Sequence, residues 1–105
     1  MSKRVRIASM PTLRVNEAEI AAMRVIYEFS GDQNRAALLG KREFTERMDR
    51  APGTVGHILR GLSDRGLIEI RESFWANGGQ RENRYRLTKL GFRALKALDR
   101  EGASA

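Results

Sequence analysis

A chain of 105 residues has room for one hydrophobic core and not for a catalytic domain beside an effector domain. Its 41% hydrophobic and 31% charged content is that of a folded soluble domain, while 20 Lys plus Arg against 13 Asp plus Glu, a net charge of +7, calls for a polyanionic partner, nucleic acid first and anionic membrane second. Without cysteine there is no disulfide, thiol nucleophile or thiolate metal site, and with His57 as the one histidine and no acidic cluster at ligand spacing, neither catalysis nor a cofactor or metal is expected.

Residues 1–15 hold Lys3, Arg4 and Arg6 with no acid, then Pro11, and show no helical or strand period. They read as a flexible basic arm, of a kind that suits the negative minor groove. No apolar run approaches a bilayer span and the start lacks a secretory signal, so a cytoplasmic, nucleoid-associated protein without a membrane partner is expected. Asn16 and Glu19 form a capping box for a helix through Phe29, which Ser30 and Gly31 end. On its wheel Ile20, Ala22, Met23, Val25, Ile26, Tyr27 and Phe29 fill more than half the circumference. That predicts either a helix deep in its own domain or one that also packs on a second subunit.

Gly31 to Asn34 reads as a turn, and Arg35 to Leu39 as a short strand or the run-in to the next helix. Lys41 to Met48 is a helix with Phe44 and Met48 inward, and Asp49 to Ala51 a turn. Pro52 opens a second helix to Arg65, with Gly66 just past its end. Its apolar stripe is Val55, Ile58, Leu59 and Leu62; Gly53, His57, Arg60 and Asp64 lie opposite, with Thr54, Gly56 and Gly61 at the flanks. Interior glycines cost on the order of 1 kcal/mol each against alanine, so close approach to a phosphate or a neighbouring element is expected there. Residues 67–75 form a strand, 76–80 a glycine-rich tip, and 84–87 the returning strand, with Tyr85 and Leu87 on one face and Arg84 and Arg86 on the other. Thr88 caps a last helix over 89–101, apolar along Leu90, Ala94, Leu95, Ala97 and Leu98 and basic along Lys89, Arg93, Lys96 and Arg100, a solvated face. Residues 102–105 are tail.

The combination of FTERM, GTVGHILRGLSDRGLIEI and RYRLTKLGFRAL, from Phe44 to Leu98, resembles the small winged helix-turn-helix transcription regulators of bacteria and archaea, particularly the MarR-like and PadR-like groups. The resemblance covers about half of the chain. It implies that helix 52–65 enters the major groove, that the hairpin, residues 73–86, reaches the adjacent minor groove or backbone, and that the terminal helices make a two-fold dimer. Three departures stand out. The turn has Asp49 and Arg50 where similar proteins tend to place a glycine and an apolar residue, which opens the helix–helix angle to variation. Ala51 has no side-chain oxygen to cap the second helix. The chain is also shorter than a full MarR-like protein, without the length for long dimerisation helices and a ligand pocket between them, so no small-molecule effector is expected.

The candidate reading residues are Thr54, for a phosphate or a thymine methyl, and His57 and Arg60, for base edges. Gly53 lies in the same exposed first turn, and Arg50 stands where a phosphate meets the free amides of the helix start. In the wing, Arg81, Arg84 and Arg86 flank the tip and suit a narrow minor groove. Phe74 and Trp75 must point to opposite faces, so at least one meets solvent or a partner unless Trp75 folds over the hairpin base. Ile20, Met23, Tyr27, Leu95 and Leu98 are the candidate dimer contacts. The expectation is an α+β winged helix domain over residues 16–101, mainly helical with a two- or three-stranded antiparallel wing. It would act as a homodimer that binds inverted repeats in duplex DNA and represses or otherwise regulates transcription. A DNA-partition or replication accessory protein, and a protein-interaction module anchored by Phe74 and Trp75, are the alternatives.

Overall fold

The computed structural model describes residues 4–31 and 35–101, with side chains from Ile7 onward. In chain order the elements are β1 (Arg4–Arg6), β2 (Arg14–Asn16), α1 (Glu17–Ser30), β3 (Ala37–Leu39), α2 (Lys41–Met48), α3 (Pro52–Asp64), β4 (Ile68–Phe74), β5 (Gln80–Leu87) and α4 (Lys89–Arg100). Lys3, the tail 102–105 and the turn expected after Gly31 lie outside the described residues.

Local chemistry sets the helix ends. The Asn16 side chain accepts from the Glu19 amide at 2.8 Å, and the Glu19 carboxylate accepts from the Asn16 amide at 2.9 Å, which completes the expected capping box. Gly31 closes α1 in the left-handed conformation, with φ 70°. Pro52 is the first residue of α3, and Gly66 follows its end with φ 74°. Arg65 then ties the end of α3 to the start of α1: its guanidinium donates to the Arg14 carbonyl and, at 2.5 Å, to the second oxygen of Glu19.

Residues 4–16 are not a free arm. Arg4, Val5 and Arg6 pair antiparallel with Asn16, Val15 and Arg14, and Ile7 and Val15 are fully buried. The Glu101 carboxylate accepts from the Ala8 amide at 2.7 Å and the Ser9 hydroxyl at 2.8 Å, which fastens this ribbon to the end of α4. Two strands of three residues are too short to carry a visible period, and their partners lie eight to twelve positions away.

α1 is the central helix, packed against α2, α3, α4 and β5. Its wide apolar surface goes largely into its own domain, with Ala22, Met23 and Ile26 fully buried. Met23, Leu95 and Leu98 are therefore core residues of a single chain and not dimer contacts, because their side chains are covered without a partner. Of the residues proposed for that role, Ile20 and Tyr27 keep partial exposure.

Within 35–39, Ala37–Leu39 forms strand β3, so the wing belongs to a three-stranded antiparallel sheet of order β3-β5-β4. Its inner face carries Ala37, Leu39, Ile68, Ile70, Tyr85 and Leu87 against the helices, and Phe44 meets Tyr85 edge-on with centroids 4.9 Å apart. Between the pairs Arg71↔Arg84 and Ser73↔Arg81 the register shifts, so Glu82 and Asn83 stand opposite the single residue Glu72. That bulge reverses the alternation of β5. Arg81, which strict alternation would put on the Tyr85 face, stands instead on the outer face with Arg84 and Arg86.

Candidate nucleic-acid interface

α2 and α3 meet through a tight turn in which Asp49 adopts left-handed backbone, φ 54° and ψ 50°, while its amide donates to the Thr45 carbonyl. Aspartate tolerates this conformation better than most residues, so it closes the turn where a glycine would be the usual choice. α3 buries Val55, Leu59 and Leu62 and half-buries Ile58. Gly53, Thr54, His57 and Arg60 are exposed on the opposite side, with Arg50 exposed just before them. Among the described residues, none of Arg50, Thr54, His57 and Arg60 has a side-chain partner. The sequence thus places these groups together, and the structure leaves them free for a ligand.

The start of α3 adds to the positive character. Ala51 supplies no side-chain cap, Pro52 has no N–H, and no acid stands in the first turn. The amides of Gly53 and Thr54 therefore face outward unsatisfied, at the positive end of the helix dipole and beside Arg50.

Lys41 was not legible as part of this surface. It begins α2, yet its ammonium nitrogen comes within 3.1 Å of where a Cβ on Gly56 would stand, and with Gly56, Arg60, Ile70 and Asn83 it lines a groove between α3 and the sheet. Nothing in the spacing of Lys41 announces this, since only the crossing of α2 and α3 brings it there. Gly56 thus has the close neighbour expected of it. Gly53 and Gly61 open onto free space.

In the wing the three arginines differ. Arg81 lies over the Trp75 ring, 4.1 Å from its centroid. Arg84 donates to the Ser73 hydroxyl at 3.2 Å, and Arg86 to the Glu69 carboxylate at 3.1 Å. The sheet face turned toward α3 is the one with Ile70, Asn83 and Tyr85, so Arg84 and Arg86 point away from the α3 surface. Phe74 and Trp75 are 55% and 51% exposed, so both aromatics reach solvent and Trp75 does not fold over the hairpin base. The tip between them and Gln80 is fixed by backbone hydrogen bonds of Trp75 with Gly79 (2.7 Å) and Gly78 (2.9 Å), the last with φ 91°.

Neither a protein-family model nor a curated protein matches the sequence. Solved structures match in their backbones. MepR, a transcription regulator of the Staphylococcus aureus multidrug efflux pump MepA, superposes with a TM-score of 0.62 at 20% identity, over 83% of this chain and 57% of that one. Bacillus subtilis PadR in complex with operator DNA gives a TM-score of 0.58 at 16% identity, over 76% of this chain and 45% of its own. A candidate DNA-binding protein of Ralstonia eutropha gives 0.57 at 21% identity, over 80% of this chain and 96% of its own. The fold is a winged helix. The chain spans a little over half the length of the MepR structures it matches. In winged-helix terms α3 is the second helix of the helix-turn-helix and β4–β5 forms the wing. No described helix is long and apolar enough to cross a membrane.

Proposed function

We propose that this winged helix is a sequence-reading duplex-DNA-binding regulator of transcription, a repressor that occupies promoter sites as a homodimer in the cytoplasm. The observation that carries the reading is the exposed face of α3, where Arg50, Thr54, His57 and Arg60 stand together without side-chain partners among the described residues, at an uncapped, positive helix start. A helix of this width fits the major groove, whose base edges are distinguishable by hydrogen bonding. Arg60 and His57 occupy the centre of that face for base edges, Thr54 and Gly53 the first turn, and Arg50 and Lys41 the flanks for phosphates. In this reading the wing lies along the adjacent minor groove or backbone, with Arg81 closest to the tip. Structures of MepR with DNA and of PadR with operator DNA share the fold, which supports the assignment.

Selection of bound sites from a random duplex library, followed by titration of the enriched duplex at two salt concentrations, tests it. An enriched palindrome with half-sites about one helical turn apart supports a dimeric reader. Affinity without enrichment, collapsing as salt rises, refutes sequence reading and leaves a backbone-binding protein.

A further inference from the structure

We propose that the outer face of the sheet, turned away from α3, is a second nucleic-acid surface and that it takes single-stranded nucleic acid. The face holds Arg71, Arg81, Arg84 and Arg86, with Ser73 and Trp75 among them. Its one carboxylate in contact with two of these arginines, Glu69, is shared: Arg71 donates to it at 3.0 Å and Arg86 at 3.1 Å. Glu69 orients both guanidiniums and neutralises one, and the Glu82 carboxylate stands 4.0 Å from Arg81, so four arginines face two carboxylates and the face stays cationic. The four side chains are also held in place rather than free, Arg84 by Ser73 and Arg81 by the indole.

Trp75 distinguishes the ligand. Phosphates alone need no aromatic, whereas an unstacked base gains by lying on an indole whose far side is already faced by a guanidinium. The indole is half exposed at the end of this row. From Glu69 to Trp75 the strand rises about 20 Å, at roughly 3.3 Å per residue, so the arginines run as a cationic track along the strand toward one stacking platform at its end. Duplex DNA is the poorer fit. Its major groove admits a helix or a two-stranded ribbon, and a three-stranded sheet laid face-on meets phosphates only and leaves Trp75 unused. The bulge at Glu82 and Asn83 makes the arrangement possible, because it moves Arg81 to this face and under the indole.

This surface does not depend on α3 reading duplex DNA, and the test separates the two. Trp75 is the chain's one tryptophan, so its emission reports directly on the site. A ten-nucleotide oligothymidylate titrated at low salt is expected to quench it saturably, with affinity falling as salt rises. Arg71→Ala, at a side chain 72% exposed, is expected to weaken binding about ten-fold. Trp75→Leu, followed by anisotropy of an end-labelled oligothymidylate, is expected to do the same, since the tip is held by the Trp75 backbone and not its ring. Arg71→Ala, outside the 73–86 hairpin that lies on the duplex, leaves the affinity for a duplex unchanged, whereas Arg60→Ala weakens the duplex and spares the single strand. Absence of quenching at low salt overturns the proposal. So does an oligothymidylate affinity that Arg60→Ala lowers and Arg71→Ala does not.

Discussion

Gly91, the third residue of α4, is the position where one methyl group should do most harm. A Cβ there would stand 2.0 Å from the Leu67 carbonyl oxygen and 3.1 Å from its carbon, so α4 and the α3–β4 turn would have to part by about 1 Å. That carbonyl accepts from the Thr88 amide at 3.1 Å. The Thr88 hydroxyl donates to the Gly66 carbonyl at 2.5 Å and accepts from the Gly91 amide at 3.1 Å. Separation strains all three bonds. Overpacking costs about 1–3 kcal/mol, a lost N-cap about 1 kcal/mol, and the Thr88–Leu67 hydrogen bond about 1 kcal/mol. Alanine's helix propensity returns roughly 1 kcal/mol, so Gly91→Ala should destabilise by about 2–4 kcal/mol, or roughly 10–30 °C in Tm for a domain of this size. Gly61→Ala is the control. It sits within α3 with nothing within 4 Å of its Cβ position, and should stabilise by about 0.5–1 kcal/mol. Thermal unfolding followed by circular dichroism measures both. If the two variants shift Tm in the same direction, or Gly91→Ala costs less than about 1 kcal/mol, the close approach of Gly91 to Leu67 is not what holds α4 in place.

Other perturbations follow from the same geometry. Asp49→Gly removes a side chain from a left-handed position and a negative charge from the carboxyl end of α2, and should raise stability by about 0.5–1 kcal/mol in urea unfolding. Lys41→Ala should weaken duplex binding evenly across sequences and reduce the salt slope by about 1, as a lost phosphate contact does, while Arg60→Ala should relax preference at one base position. Both are read by titration over a salt series. Hydrogen bonds from the Ser9 hydroxyl and the Ala8 amide hold the Glu101 carboxyl below the usual carboxylate range. A depressed carboxyl stabilises the fold above its unfolded value and loses that contribution as pH falls through the folded one. Acidification below about pH 4 should therefore release the Ala8–Ser9 turn from α4, seen as a shift of the Ala8 amide resonance, and Glu101→Gln should abolish that titration.

The sequence by itself determined what acts within a few residues. Asn16 with Glu19, Pro52 with Gly66, and Thr88 before α4 mark helix ends because caps and breakers work inside a single turn. The stripe Val55, Leu59 and Leu62 leaves Thr54, His57 and Arg60 outward by the period of the helix alone. Tertiary structure decided what depends on partners far along the chain. Ile7 and Val15 enter the core through a ribbon too short to show a pattern, β3 takes its place through Tyr85, and Lys41 reaches Gly56 only because α2 crosses α3. Met23, Leu95 and Leu98 show the limit most clearly: an apolar helix face states that it must be covered and not by what, so its own core and a second subunit look alike until the helices are packed. The bulge in β5 is a pairing event between strands, invisible in either alone, and it decides on which side of the sheet Arg81 stands.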